Sequence, residues 1–232
     1  MILAANQPYL LPYFPYWQLI HAADRFLVGD DYAFIRKGWI TRNYILVQGK
    51  PQYLRMEVRA RSCFRLICDL EFAPVRLVDK LKTIEMAYHK APCFQDVYPV
   101  VEHILCNPER NLAAFLTASI REICGWLGIT TPLGFTSGLA GNSLFKREER
   151  IYDFCHRLNA DTYLNAIGGM ALYRGDDFAR HGIRLRFLKG RQTPYPQFGQ
   201  PFTANLSILD AMMFLSREEL HERLDDYDLI DG

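Results

Sequence analysis

The chain has 232 residues, of which 50% are hydrophobic, 23% charged and 13% aromatic; that length buries a full core, and the composition excludes a disordered chain. Lys and Arg number 27 against 26 Asp and Glu, and with neither a basic excess nor a basic stripe, nucleic acid is excluded as a main ligand. Six cysteines (Cys63, Cys68, Cys93, Cys106, Cys124 and Cys155) show no CxxC spacing, which argues against a zinc site or a disulfide framework and for reduced thiols.

Met1 leads into a short apolar run broken by Asn6 and Pro8, which is not the pattern of a signal peptide. No apolar stretch has the length of a membrane span, so a cytoplasmic protein is expected. Met1 to Ala5 reads as a buried strand stopped by Asn6, Gln7 and Pro8. After a loop punctuated by Pro12 and Pro15, Tyr16 to Ala23 reads as a short helix, with Pro15 suited to its first turn. Arg25 to Gly29 is a second strand, so the opening has the grammar of a βαβ unit. Asn43 to Val47 and Gln52 to Val58 are β-rich, and Gln48-Gly49-Lys50-Pro51 between them predicts a hairpin.

Helical periodicity follows over Arg76 to Tyr88, Asp96 to Cys106 and Leu112 to Leu127, the last with Gly128 as its stop. Lys146 to Leu158 is a further helix, leading to a strand at Asp161 to Asn165. A short helix at Asp176 to His181 then feeds the strand Ile183 to Leu188, an alternation that implies parallel strands. Ser207 to Leu215 and Glu218 to Leu224 are expected to be helical. Cys124 and Cys155 fall on apolar helix faces. The expected fold is α/β: a Rossmann-like, mostly parallel sheet flanked by helices, with a β-hairpin insertion and a helical subregion, in one domain over 1–232.

Ligands of such sheets bind beyond the carboxyl ends of the strands, and three unusual segments fall there. The first runs from Asn6 to Gln18 and packs prolines and aromatics (Tyr9, Pro12, Tyr16) around the polar Gln7 and Gln18. The second carries Asp30 and Asp31, then Arg36, Lys37, Trp39, Arg42 and Asn43. The third holds Asn165, Gly168, Gly169 and Tyr173. Stiff aromatic loops with a few fixed polar groups suit a sugar or a nucleobase, although the same rings also serve as half-buried packing. Arg36, Lys37 and Arg42 are either a solvated basic face or a phosphate clamp. Asp30 and Asp31 are either loop caps, ligands of a divalent ion or a general base. Lys146-Arg147 at a helix start near Thr136-Ser137-Gly138 is either a phosphate contact or, the stronger reading, a surface charge cluster. The six histidines have no metal-ligand or triad spacing, and no metal set or Ser/His/Asp or Cys/His set can be assembled.

The ordered motifs Gln7-Pro8-Tyr9 with Pro12-Tyr13, Asp30-Asp31, Gly38-Trp39-Ile40 with Arg42-Asn43, Tyr163-Leu164-Asn165 with Gly168-Gly169, and Leu206 to Asp210 resemble the WbqC-like family nearly end to end. Pro15 and Asn159-Ala160 depart from its pattern, beside the polar positions. The resemblance implies work in bacterial O-antigen and surface-polysaccharide (lipopolysaccharide) synthesis: a transferase that places glycine on a nucleotide-linked amino sugar. It implies Asp31 as base, Gln7, Asn43 and Asn165 as polar anchors, and Arg42 and Lys37 on phosphates. The partners would be a nucleotide sugar and an activated amino acid or acyl carrier.

Two rivals stand beside it. The first βαβ unit is similar to nucleotidyltransferases with a HIGH-type motif, amide ligases that would use ATP and Mg, but Tyr16 and Gln18 stand where those have histidines. A non-catalytic sugar-nucleotide-binding protein is the other.

Overall fold

The computed structural model of the protein describes residues 1–58, 65–71, 77–191, 193–199 and 201–232. Cys63 and the expected helix start at Arg76 lie outside the described residues.

Strand β1 (Ile2–Asn6) is the buried apolar run, extended by Asn6. Helix α1 (Phe14–His21) begins before the expected Tyr16, with Pro15 in its first turn, where no N–H is missed. β2 (Arg25–Val28) lies parallel to β1. β3 (Arg42–Val47) and β4 (Lys50–Arg55) pair antiparallel as a separate two-stranded sheet. Gln48 and Gly49 between them both have positive φ (50° and 73°), the conformation of a two-residue hairpin turn. So tight a turn starts β4 at Lys50 and ends it at Arg55, a correction to the expected Gln52 to Val58.

α2 (Leu77–Tyr88), α3 (Phe94–Leu105) and α4 (Leu112–Leu127) follow. The Asn111 side chain caps α4 by accepting from the Ala114 amide at 3.0 Å, and Gly128 ends it at φ 74°. The rest of the chain alternates: β5 (Leu133–Phe135), α5 (Glu148–Leu158), β6 (Thr162–Ala166), α6 (Gly175–Arg180) and β7 (Arg184–Gly190). It closes with α7 (Ile208–Phe214), α8 (Arg217–Glu222) and β8 (Tyr227–Asp231). Ser216 and Glu219 cap α8 reciprocally.

The main sheet has the order β5-β2-β1-β6-β7-β8 and is parallel except for β8, which runs antiparallel to β7. The fold is therefore α/β with a mostly parallel sheet. One face packs Ala4, Leu164 and Leu188 against α1, α4 and α7. The other packs Leu3, Ala5, Tyr163 and Phe187 against α5 and α6. Because successive segments go to opposite sides of β1, the sheet has a switch point between β1 and β6, where a crevice opens. Among the described residues no helix is long and apolar enough to cross a membrane. The thiols of Cys68, Cys93, Cys106, Cys124 and Cys155 are free, and burial raises those of Cys124 and Cys155 to about 12.

A buried carboxylate ties the helices to the hairpin. Asp210 is fully buried and accepts from the Tyr88 hydroxyl at 2.9 Å, the Tyr195 hydroxyl at 2.8 Å and the Gln197 amide at 2.5 Å. Tyr88 in turn accepts from the Leu46 amide of β3 at 2.8 Å. Burial raises the Asp210 carboxyl above the usual carboxylate range, against the opposing pull of the three donors.

Candidate functional site

A cleft of about 960 Å³ opens at the switch point. Its floor is the carboxyl ends of β1 and β6, at Ala5, Asn6, Asn165 and Ala166. The loop after β1 contributes Gln7, Tyr9, Pro12 and Tyr13, and the loop after β6 contributes Gly168, Gly169, Leu172 and Tyr173. Trp39, Asn43, Tyr44 and Pro51 reach over from the hairpin and the loop before it. The described lining contains no Asp, Glu, Lys, Arg or His. Burial raises the phenols of Tyr9, Tyr13 and Tyr173 above their ordinary value, so the walls present neutral hydroxyls.

The wall from Gln7 to Pro12 is held by its own carbonyls. The Tyr16 hydroxyl donates to Gln7 O at 3.0 Å, and Asn43 Nδ2 donates to Leu10 O and Leu11 O at 3.2 and 2.8 Å. The Ser207 hydroxyl also donates to Leu11 O, at 2.8 Å, and the Trp17 indole and the Ile208 amide both donate to Pro12 O. These bonds hold Leu11 at φ 43°, a conformation that costs a non-glycine residue roughly 1–3 kcal/mol. The loop is a preformed wall.

Two asparagines stand at the floor in the same internal arrangement. Asn6 Oδ1 accepts from the Gln7 amide and Asn165 Oδ1 from the Ala166 amide, each at 2.8 Å. Each Oδ1 is thereby fixed, and each Nδ2 has no protein acceptor among the described residues. Ala4 pairs with Leu164, so the register places Asn6 beside Ala166 and Asn165 beside Ala5. Asn6 and Asn165 therefore leave the sheet toward opposite faces and flank the crevice. A Cβ at Gly169 would collide with the Asn165 amide, whereas one at Gly168 meets nothing within 4 Å. Gly169→Ala is expected to displace the Asn165 side chain from its place at the floor, while Gly168→Ala leaves it in place; the side-chain amide resonances of Asn165 in the two variants check this.

The sequence-predicted residues divide into two groups. Gln7, Tyr9, Pro12, Tyr16, Trp39, Asn43, Asn165, Gly168, Gly169 and Tyr173 meet at the cleft. Asn43, however, spends its amide on Leu10 and Leu11 and its Oδ1 on the Tyr44 amide at 2.9 Å, so it braces the wall. Asp31, expected as a base, is held by other partners: both its oxygens accept from Arg150 at 2.6 Å and one also from Thr136 at 2.5 Å. Asp30 is buried under Thr136 and Ser137, which bond both of its oxygens. Gln18 is fully buried on the far side of α1, donating to the carbonyls of Arg223 and Asp226 at 2.9 Å. Lys37 is exposed in a turn at φ 60°, and Arg42 is half-buried, next in sequence to the lining residue Asn43. None of these five is in the described lining. Asn6, Tyr32, Tyr44 and Tyr163 also line the cleft; Asn6 heads the first unusual segment and Tyr163 belongs to the third motif, whereas Tyr32 and Tyr44 carry no signal in the sequence.

The described residues contain no group of three or more His, Cys, Asp or Glu that could hold a metal. The profile of the WbqC-like protein family matches residues 7–222. The chain belongs to the WbqC-like family. The family match spans the cleft lining from Gln7 to Leu206 and begins just after Ala5 and Asn6. Among curated proteins this WbqC-like chain is similar to the uncharacterised protein Rv1507c of Mycobacterium tuberculosis, with 23% identity over 225 residues, covering 93% of this chain and 94% of that one. No solved structure matches it significantly.

Proposed function

We propose that the protein transfers an acyl group, in the first place a glycyl group, from a pre-activated thioester donor to the amine of a nucleotide-linked amino sugar, as surface-polysaccharide assembly requires. The observation that carries this reading is the pair of fixed Nδ2 donors of Asn6 and Asn165, without a protein acceptor among the described residues, in a tyrosine-walled cleft whose described lining is uncharged. Aromatic rings and amides recognise a sugar ring through its C–H faces and hydroxyls. An uncharged, partly desolvated site also disfavours an ammonium ion, so the amine enters in its nucleophilic form. Its nitrogen attacks the thioester carbonyl and the C–N bond forms. The C–S bond then breaks, and the nitrogen's proton leaves with the thiolate. The carbonyl oxygen gains charge during attack, and two amide donors fixed beforehand are suited to stabilise it. This route does not call on Asp31.

The test is incubation of the purified protein with a nucleotide-linked amino sugar and a glycyl thioester, with mass spectrometry of the sugar. Formation of the glycyl amide supports the reading. Binding of the sugar nucleotide with no product under any donor overturns the transferase and leaves a binding protein. Glycine-dependent ATP–pyrophosphate exchange overturns the pre-activated donor in favour of a self-activating ligase.

A further inference from the structure

The hairpin presents a feature that the cleft itself does not explain. Arg42 and Arg55 are direct cross-strand partners in the β3–β4 register. Like charges opposite one another on an antiparallel pair are destabilising unless something compensates them. Neither arginine has an acidic partner among the described residues. Arg42 is half-buried, and its Nε is buried with no hydrogen-bond partner, an arrangement with a desolvation cost. Both guanidinium groups lie on the Tyr53 ring, with Cζ at 4.5 Å for Arg42 and 4.6 Å for Arg55. Stacking on Tyr53 orients the two groups and leaves their charge in place.

The pair borders the cleft. Tyr53 stacks on Tyr44 at 4.1 Å, with a hydroxyl–hydroxyl bond of 2.6 Å. Tyr44 lines the cleft, and Trp39, which packs edge-on against Tyr44 at 5.9 Å, does too. The strand period puts Arg42 and Tyr44 on one face of the hairpin, with Tyr53 and Arg55 opposite them. One face of the hairpin therefore runs from uncharged cleft wall to a doubly cationic rim.

We propose that Arg42 and Arg55 form an anion subsite that holds the diphosphate of a nucleoside-diphosphate ligand whose sugar lies in the cleft. This rests on reading the cleft as a sugar-nucleotide site. Planar guanidinium forks suit two neighbouring phosphates. Trp39, which is exposed, offers a ring face to a base. With 27 basic and 26 acidic residues in the chain, a discrete diphosphate fits the rim better than a polyanion, which needs a wider basic field.

The experiment is titration calorimetry on the wild-type chain, Arg42→Gln, Arg55→Gln and the double variant, each first shown to melt normally. The probes are inorganic pyrophosphate, UDP, GDP, dTDP, an uncharged methyl glycoside of an acetylated amino sugar, and a short single-stranded oligonucleotide. Each single variant is expected to weaken at least one nucleoside diphosphate about tenfold or more, and the double variant further. The methyl glycoside should be unaffected by all three. Pyrophosphate bound as tightly as the diphosphates assigns a phosphate site without base recognition and overturns the nucleoside part. Unchanged diphosphate binding in the double variant overturns the subsite, as does an oligonucleotide that outcompetes every diphosphate. Arginine-dependent diphosphate binding with no glycoside binding keeps the subsite and overturns the sugar reading of the cleft.

Discussion

Asn6→Asp and Asn165→Asp are each expected to slow acyl transfer by about 100-fold or more, the scale on which single oxyanion donors act. The substitution is nearly isosteric and keeps the Oδ1 that accepts from the next backbone amide. Only the Nδ2 donor is lost, and a negative charge faces the position where negative charge develops. The loss should fall on kcat, with KM for the sugar nucleotide little changed, because a donor aimed at the oxyanion acts mainly in the transition state. A rise in KM at constant kcat would instead make the asparagines ground-state contacts to the sugar. Normal rates in both variants would remove the pair from the chemistry. Steady-state kinetics beside a thermal melt decides among these.

Asp210→Ala is expected to cost about 3–5 kcal/mol of folding stability, a large share of a typical domain's total. It strands the donors of Tyr88, Tyr195 and Gln197 inside the protein and frees the β3 amide contact that runs through Tyr88. The pH dependence has a definite sign. Folding raises the Asp210 carboxyl, so the native state holds this proton more tightly than the unfolded chain. Its contribution is full below the unfolded value and is lost as pH rises through the folded one. Asp210→Asn, with no proton to lose, should remove that part of the slope. Urea unfolding of the three proteins across the acid range measures both effects, and an Asp210→Ala protein as stable as the parent would disprove the network's role.

Local patterns were legible in the residues themselves. The apolar run of β1, the stripe of α4 with its Gly128 stop, and the Gly49 turn each encode their conformation within a few positions. Two sheet strands were not anticipated. β5 is the three-residue Leu133-Gly134-Phe135, too short for an alternation to show. β8 is Tyr227-Asp-Leu-Ile-Asp231, which carries two aspartates, a residue type depleted in strands, and its pairing with β7 on an exposed edge decides its conformation. The cleft was foreseeable as three strand-end loops, but which way their polar and charged side chains turn was not. Asp31 faces Arg150, 119 positions away, and Gln18 faces backbone at Arg223 and Asp226. Such partners are set by tertiary packing and leave no local trace. Asn6 carried the quietest signal, a polar residue ending an apolar strand, which also describes an ordinary strand stop.

The bracing of the loop after β1 has a consequence for how the site assembles. Its carbonyls are fastened to Tyr16, Trp17, Asn43, Ser207 and Ile208, and the Leu10 amide donates to Trp39 O at 3.2 Å. These contacts come from the beginning of the chain, from Trp39 and the hairpin, and from the start of α7, so no fragment shorter than residues 7–208 contains them all. The wall can open only when those distant pieces separate, and the Leu10 amide should exchange its hydrogen with solvent at the pace of global unfolding. Ligand affinity in this protein would then report on the whole chain's integrity: a truncated or nicked molecule would lose the pocket at once instead of by degrees.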